Sequence, residues 1–205
     1  CYGGLFWMYN DAWGEVGWTI IDYYLRRKIA YYGVKRALAH QKFTMRAEDG
    51  SVILQGANDT PKPLSVTAEF GYVSFDGTIR ETRKIQLETE PGERSYLLRE
   101  ALPDRDYKKG TIMLYVLDEN IDNIWLRLDD MRNLDFEKSQ VICTEDRQEG
   151  NDRILTLHSE SFAHGVHVKG NYRCSDNYFD LLPGETKTII VRGAKETALQ
   201  MASVR

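Results

Sequence analysis

The spacing of apolar residues changes once along the chain, from a helical period to an alternating one. Between Lys28 and His40, apolar side chains recur at intervals of three and four, as on one face of an α-helix. After residue 42 apolar and polar side chains alternate, which is typical of half-buried strands. The pattern therefore predicts a helix over 28–40 and, after it, a long β-rich region.

Turn residues divide the β-rich region into short strands. The run from Leu64 to Phe75 alternates and ends at Asp76-Gly77, which is a strong hairpin signal. Residues 111–117 are continuously apolar, which predicts a strand buried on both faces. A second sandwich-like region follows a stretch without a clear period at 129–138. Its predicted strands lie at 140–144, 153–159, 165–170, 186–192 and 199–204.

Composition and charge narrow the class of protein. The chain has 205 residues, of which 42% are hydrophobic and 28% are charged, so it can bury a core and is not disordered as a whole. It carries 27 Lys and Arg against 31 Asp and Glu, a net charge of -4, which disfavours a nucleic-acid partner. An apolar run of the roughly 20 residues that span a bilayer is not present, so we expect no membrane partner.

Aromatic and polar residues cluster near the amino terminus. Three of the four Trp lie before residue 20, and Trp7, Asn10, Asp11 and Trp13 fall at or just past the end of a predicted strand at 5–9. Trp rings can stack on the apolar faces of sugars, while Asn and Asp can bind hydroxyls. An aromatic stripe is also a common feature of a hydrophobic core, so the residues alone leave both interpretations open.

Two separated segments resemble one enzyme family. Residues 4–13, with the pattern Trp-x-x-Asn-Asp-x-Trp, and then 17–24 and 28–37 resemble the end of the catalytic barrel of glycoside hydrolase family 2, nearest its β-mannosidase branch. Gly14 and Ile29 stand where many members of that family have Pro. Residues 175–185 resemble the signature of the last immunoglobulin-like domain in the same enzymes. The two segments occur in the order that the family shows.

The resemblance implies a mainly β fold: two immunoglobulin-like β-sandwiches preceded by the last strand and helix of a (β/α)8 barrel. The predicted domains are a remnant of the catalytic barrel at 1–42, a first sandwich at 43–135 and a second sandwich at 136–205. We expect residues 1–42 to cover their apolar face either on the first sandwich or against a second copy of the chain, as a homodimer.

The resemblance also implies a function. Retaining exo-β-mannosidases use two carboxyl groups about 5–5.5 Å apart. In the family both are Glu on earlier barrel strands, so we expect them upstream of Cys1 and expect this chain alone to be inactive. Trp7 would be the platform under a β-mannoside, and Asn10, Asp11 and Trp13 would shape the wall beside it. Asp11 could instead accept hydrogen bonds from the loop backbone. The resemblance implies no cofactor and a periplasmic or secreted location.

Other functional classes stay open at this point. Within the family, the alternative is an exo-β-glucosaminidase. Outside it, the sandwiches could form an independent carbohydrate-binding module or a scaffold without a ligand. A module would need exposed aromatic side chains on a sheet face, and the candidates are Tyr72, Tyr107, Trp125 and Tyr178.

Weaker site candidates favour structural roles. We expect no metal at His158, His164 and His167, and expect His164 and His167 on opposite faces of a strand. Cys143 and Cys174 are expected to be reduced, with a disulfide as the alternative. Asp176, Asn177 and Asp180 could bind Ca²⁺, but turns that satisfy backbone groups explain them more simply. The Arg-Arg-Lys run at 26–28 is predicted to be a solvated loop or helix start and not an anion site.

Overall fold

A computed structural model describes residues 5–14, 17–102, 108–118, 121–136, 138–195 and 198–203. Within them the chain forms one α-helix and four antiparallel sheets. The chain divides into two compact units, each with its own core. One contains residues 38–138 and 160–162, and the other contains residues 1–37, 139–159 and 163–205.

The first unit is a β-sandwich of a three-stranded and a four-stranded sheet. The strand order is β1-β2-β5 in one sheet and β4-β3-β6-β7 in the other. Leu54, Ala68 and Leu114 come from different strands and meet in one core with no exposed surface. The strands are β1 (Gln41–Glu48), β2 (Ser51–Asn58), β3 (Leu64–Ser74), β4 (Arg80–Thr89), β5 (Arg94–Ala101), β6 (Ile112–Leu117) and β7 (Ile124–Arg127).

Two elements of this sandwich confirm the predictions. Strand β6 lies between β3 and β7, and its residues 112–116 are buried, as the continuous apolar run predicted. The hairpin between β3 and β4 turns at Asp76-Gly77, where Asp76 Oδ1 accepts a hydrogen bond from the Thr78 N–H at 2.9 Å. Strand β5 was not predicted. Its alternation is interrupted where a bulge at Leu54/Gln55 shifts its register with β2.

The second unit contains a further sandwich with sheet orders β11-β13-β9-β8 and β12-β10-β14. Leu155, Val166 and Ile189 are fully buried at the centre of its core. The two sandwiches confirm the predicted fold class. The strands are β8 (Ile142–Glu149), β9 (Asp152–His158), β10 (Ala163–Val168), β11 (Arg173–Cys174), β12 (Phe179–Leu181), β13 (Thr186–Arg192) and β14 (Met201–Ala202).

The helix α1 (Ile29–Ala37) packs on the second sandwich. The ring of Tyr32 is 1% exposed and lies in the core of that sandwich. Arg36 donates hydrogen bonds to Asp176 Oδ1 at 2.7 Å and to the Tyr178 carbonyl at 2.9 Å. The expected packing of residues 1–42 on the first sandwich was therefore wrong for the helix, and the homodimer stays a prediction. The cationic side chains of the helix donate hydrogen bonds to the loop at 174–178.

The segment before the helix is extended, but it forms no ladder within the described residues. Asn10 makes one parallel bridge to Ile21, and Ile21 makes one antiparallel bridge to Arg27. The predicted strand at 5–9 needs neighbouring strands for its N–H and C=O groups. In the part of the chain that the structure describes, Ile21 alone takes that place.

Helix α1 is shorter than the predicted helix at 28–40, and it contains Gly33. A glycine inside a helix often marks close packing against a neighbour, but a Cβ at Gly33 would meet no atom within 4 Å. Gly33 therefore carries the entropic cost of glycine in a helix without a packing reason. Among the described residues, no helix has the length and apolarity to cross a membrane.

We predict that Gly33→Ala raises the free energy of unfolding by about 0.5–1 kcal/mol, since Ala is the better helix former. Gly50→Ala is the matched control, because a Cβ at Gly50 would also meet no atom within 4 Å, but its φ is +69°. That change should lower the free energy of unfolding by about 1 kcal/mol. Urea titration of the three proteins measures both. A destabilising Gly33→Ala would contradict the open surface at the helix.

Candidate functional site

The front loop is held together by one partly buried cation. Lys28 Nζ donates hydrogen bonds to Asp11 Oδ2 at 2.8 Å, the Gly17 carbonyl at 2.9 Å and Thr19 Oγ1 at 2.7 Å. An ammonium has three protons, and these three acceptors use all of them. Residues 11, 17 and 19 are thereby fixed around a single atom that precedes helix α1.

Backbone hydrogen bonds complete the arrangement. The Asp11 N–H donates to the Ile21 carbonyl at 3.0 Å, and the Ile21 N–H donates to the Tyr9 carbonyl at 3.1 Å. Gly17 lets the carboxylate approach, because a Cβ there would lie 1.9 Å from Asp11 Oδ1. These hydrogen bonds hold Ile21 beside the strand-like segment that carries Trp7 and Asn10.

The four predicted site residues divide into two kinds. Trp7, Asn10 and Trp13 are exposed, with 79% of Trp7 and 76% of Trp13 accessible. Asp11 is 6% exposed, and its carboxylate is turned to Lys28. The structure thus offers two indole faces and one amide to a ligand, beside an internal ion pair. The Trp7–Met8 peptide bond is cis.

The two described carboxylates of the front segment are both held in the ionised form. The hydrogen bond from Lys28 lowers the pKa of Asp11, and a hydrogen bond from Thr19 adds to this against the effect of burial. Burial raises the pKa of Asp22, but hydrogen bonds from Arg26 outweigh it and the net pKa is lowered. A general acid near neutral pH needs the opposite shift. Glu15 lies outside the described residues.

Of the Arg-Arg-Lys run at 26–28, Arg26 is exposed as predicted, whereas Arg27 and Lys28 are partly buried. Arg26 pairs with Asp22, Arg27 Nη1 donates to the Cys174 carbonyl at 3.0 Å, and Lys28 is the cation described above. Sequence reasoning missed these roles because the acceptors lie up to 147 positions away. A charge run gives no signal of which distant carbonyl or carboxylate it meets.

The histidines and the acidic loop are engaged by neighbouring protein groups. The hydrogen bond to Asp180 raises the pKa of His164, and His167 stacks on Tyr178 with ring centroids 4.8 Å apart. Asp176 forms ion pairs with Arg36 and Lys187, and Asn177 Oδ1 accepts a hydrogen bond from the Val168 N–H at 2.9 Å. Across the described residues, no group of three candidate ligands is placed to hold a metal ion.

The remaining candidates are explained by packing. Cys143 and Cys174 are unbonded, as expected, and burial raises the pKa of the Cys174 thiol to about 11. Trp125 is half-buried and packs edge-on against Phe75 and Phe162, with ring centroids 6.4 and 4.9 Å apart. Tyr107 lies outside the described residues.

Comparison with known proteins agrees with this architecture. Residues 136–204 match the Ig_mannosidase family, an Ig-fold domain. A β-mannosidase B from Aspergillus niger is 26% identical over 220 residues, which cover 95% of this chain. The crystal structure of a β-D-mannosidase from Dictyoglomus thermophilum superimposes with a TM-score of 0.86 at 28% identity over 96% of the chain.

The chain is a relative of the β-mannosidases. A β-mannosidase B from Thermothelomyces thermophilus is 54% identical over a segment of 39 residues. The chain spans only about a quarter of the length of its relatives, 26% of the Aspergillus niger protein and 25% of the Dictyoglomus one. An exo-chitosanase from Amycolatopsis orientalis shares the fold, with a TM-score of 0.64, 18% identity and 97% of this chain covered.

We predict that Asp11→Asn destabilises this β-mannosidase relative in a pH-dependent way. Because the folded-state pKa of Asp11 is lowered, the ion pair stabilises the fold above the ordinary carboxyl pKa. That stabilisation is lost as the pH falls through the folded-state value. The gap in unfolding free energy between wild type and Asp11→Asn should therefore be large at pH 7 and shrink toward pH 3.

Urea titrations at a series of pH values measure this gap. Glu90→Gln is the control, since Glu90 is an exposed carboxylate in the first sandwich. A gap that stays constant from pH 7 to pH 3 for Asp11→Asn would show that the charge of Asp11 does not contribute to folding.

Proposed function

We propose that this chain is the carboxyl-terminal part of a retaining exo-β-mannosidase that removes terminal β-mannosyl residues. The observation that carries the proposal is the exposed Trp wall at 7–13 on a chain that aligns along 95% of its length with β-mannosidases. Single exposed aromatics are common, but several large indoles in one short segment indicate a surface that is covered in function. The proposal includes a periplasmic or secreted location.

Both catalytic Glu belong, in this proposal, to the part of the enzyme that precedes residue 1. A retaining mechanism needs one carboxyl group with a raised pKa and a second one about 5–5.5 Å away. The described carboxylates nearest the Trp wall do not meet this need. Asp11 is neutralised by Lys28 and Asp22 by Arg26, and the pKa of each is lowered.

The front segment then contributes binding rather than bond cleavage. Trp7 provides the platform for the apolar face of the mannosyl ring, and Asn10 and Trp13 form the wall beside it. Asp11 has a supporting role in this wall, because its carboxylate is bound to Lys28 and its backbone N–H to the Ile21 carbonyl. In this proposal Asp11 positions its neighbours Asn10 and Trp13.

A second candidate activity is the removal of terminal β-glucosaminyl residues. It is supported by the fold shared with the exo-chitosanase, one structure of which is a complex with PNP-β-D-glucosamine at a TM-score of 0.67. At 19% identity that likeness carries the fold alone. The mannoside is therefore the first substrate to test and the glucosaminide the second.

The direct test is hydrolysis of p-nitrophenyl β-D-mannopyranoside and its glucosaminide counterpart. We expect the 205-residue chain to hydrolyse neither, and expect a longer product of the same gene that includes the preceding barrel to hydrolyse the mannoside. Measurable turnover by the chain alone would refute the placement of the catalytic Glu. A longer protein that prefers the glucosaminide would refute the proposed substrate.

Trp7→Ala in that longer protein should lower kcat/KM for the mannoside by about tenfold, because one aromatic stacking interaction is lost. Tyr96→Ala is the matched control, since Tyr96 is an equally exposed aromatic residue, at 73%, in the first sandwich. Equal kinetic effects of the two changes would remove Trp7 from the sugar site. Circular dichroism establishes that both variants are folded.

A further inference from the structure

The second unit carries a cavity that the proposed function does not use. It has a volume of about 560 Å³ and lies between the turn before helix α1 and the loop at 170–178. Its walls combine four tyrosines with three arginines, and its described lining contains no carboxylate side chain. These residues are Tyr24, Tyr32, Tyr172, Tyr178, Arg26, Arg27 and Arg173.

Backbone strain is concentrated at this cavity. Three described residues other than glycine have a positive φ, and two of them, Leu25 at 61° and Tyr178 at 54°, line the cavity. The third, Asp49, lies in the two-residue turn between β1 and β2, where such a conformation is ordinary. Leucine and tyrosine rarely adopt it, and such residues gather at functional sites.

The strained residue Tyr178 is held in place by Arg36 and His167. Arg36 Nη2 donates to the Tyr178 carbonyl at 2.9 Å, and the ring of His167 stacks on the ring of Tyr178 with an angle of 15° between the planes. The Tyr172 ring lies close against Gly170, where a Cβ would lie 2.7 Å from the ring. The Tyr178 ring is thus held in place before a ligand arrives, which lowers the entropic cost of binding.

The charge of the cavity is positive. Arg26 is paired with Asp22, whereas Arg27 is bound to the neutral Cys174 carbonyl and lies over the Tyr31 ring at 4.6 Å. Arg173 is exposed at the rim. Guanidinium groups are donors only and match the two oxygens of a carboxylate. The lining therefore favours an anionic ligand over a neutral one and disfavours a cationic one.

We propose that this cavity binds a saccharide that carries a carboxylate, such as a uronic acid residue. The tyrosine faces receive the apolar face of the sugar ring, and Arg173 with Arg27 receives the carboxylate. The proposal rests on the second sandwich and its anchored helix, and it is independent of the Trp wall and of β-mannoside hydrolysis.

Three probes of the purified chain separate the parts of this proposal. Methyl β-D-glucuronide tests the whole ligand, methyl β-D-glucoside lacks only the charge, and sodium acetate lacks only the sugar ring. We expect the glucuronide to bind about tenfold more tightly than either of the others, since a charge-assisted hydrogen bond is worth about that factor. Amide NMR titration gives the affinities and shows whether residues 170–178 respond.

Matched variants test the assignment of residues. Arg173→Ala should weaken glucuronide binding about tenfold and leave glucoside binding unchanged. Tyr172→Ala should weaken the binding of both glycosides. Arg94→Ala and Tyr96→Ala, exposed changes in the first sandwich, should alter neither.

Three results would overturn the proposal. Equal affinity for the glucuronide and the glucoside would remove the role of the arginines. Acetate binding as tight as that of the glucuronide, or an absence of shifts at 170–178 at saturating glucuronide, would remove the saccharide site. Arg173 is exposed, so its variant keeps these outcomes readable even if Tyr172→Ala does not fold.

Discussion

The carboxylate of Asp176 is the point on which the second unit depends. One oxygen accepts from Arg36 of helix α1 at 2.7 Å, and the other pairs with Lys187 of strand β13 at 2.9 Å. The group is 10% exposed, so two partners compensate its charge where water cannot. Because Arg36 also binds the carbonyls of Asn177 and Tyr178, this one acid fixes the helix to the loop that it faces.

Helix α1 connects the two candidate sites of the second unit. Helix α1 begins directly after Lys28, whose Nζ orders the loop behind the Trp wall. The helix also carries Arg36, which holds Tyr178 in its strained conformation at the arginine-lined cavity. Both surfaces are therefore organised by cations at the two ends of a nine-residue helix. Their acceptors lie in different parts of the chain.

The sequence predicted what depends on local pattern. Alternation in 64–75 and the Asp76-Gly77 turn located a hairpin, and the apolar run at 111–117 located the most deeply buried strand. These features follow from side-chain period and turn chemistry, which are readable without a partner. The strand β5 escaped because a bulge interrupts its alternation, and β11 and β12 because two and three residues carry no measurable period.

What the sequence could not provide is the identity of distant partners. The residues alone left open whether Trp7 and Trp13 are exposed, and they did not indicate that Asp11 between them is buried. That burial depends on a lysine 17 positions away and on a glycine without a Cβ at Gly17. The motif at 4–13 thus contains two kinds of residue. Its indole side chains are exposed to solvent, whereas the carboxylate of Asp11 is bound to Lys28 and stabilises the loop that carries the indoles.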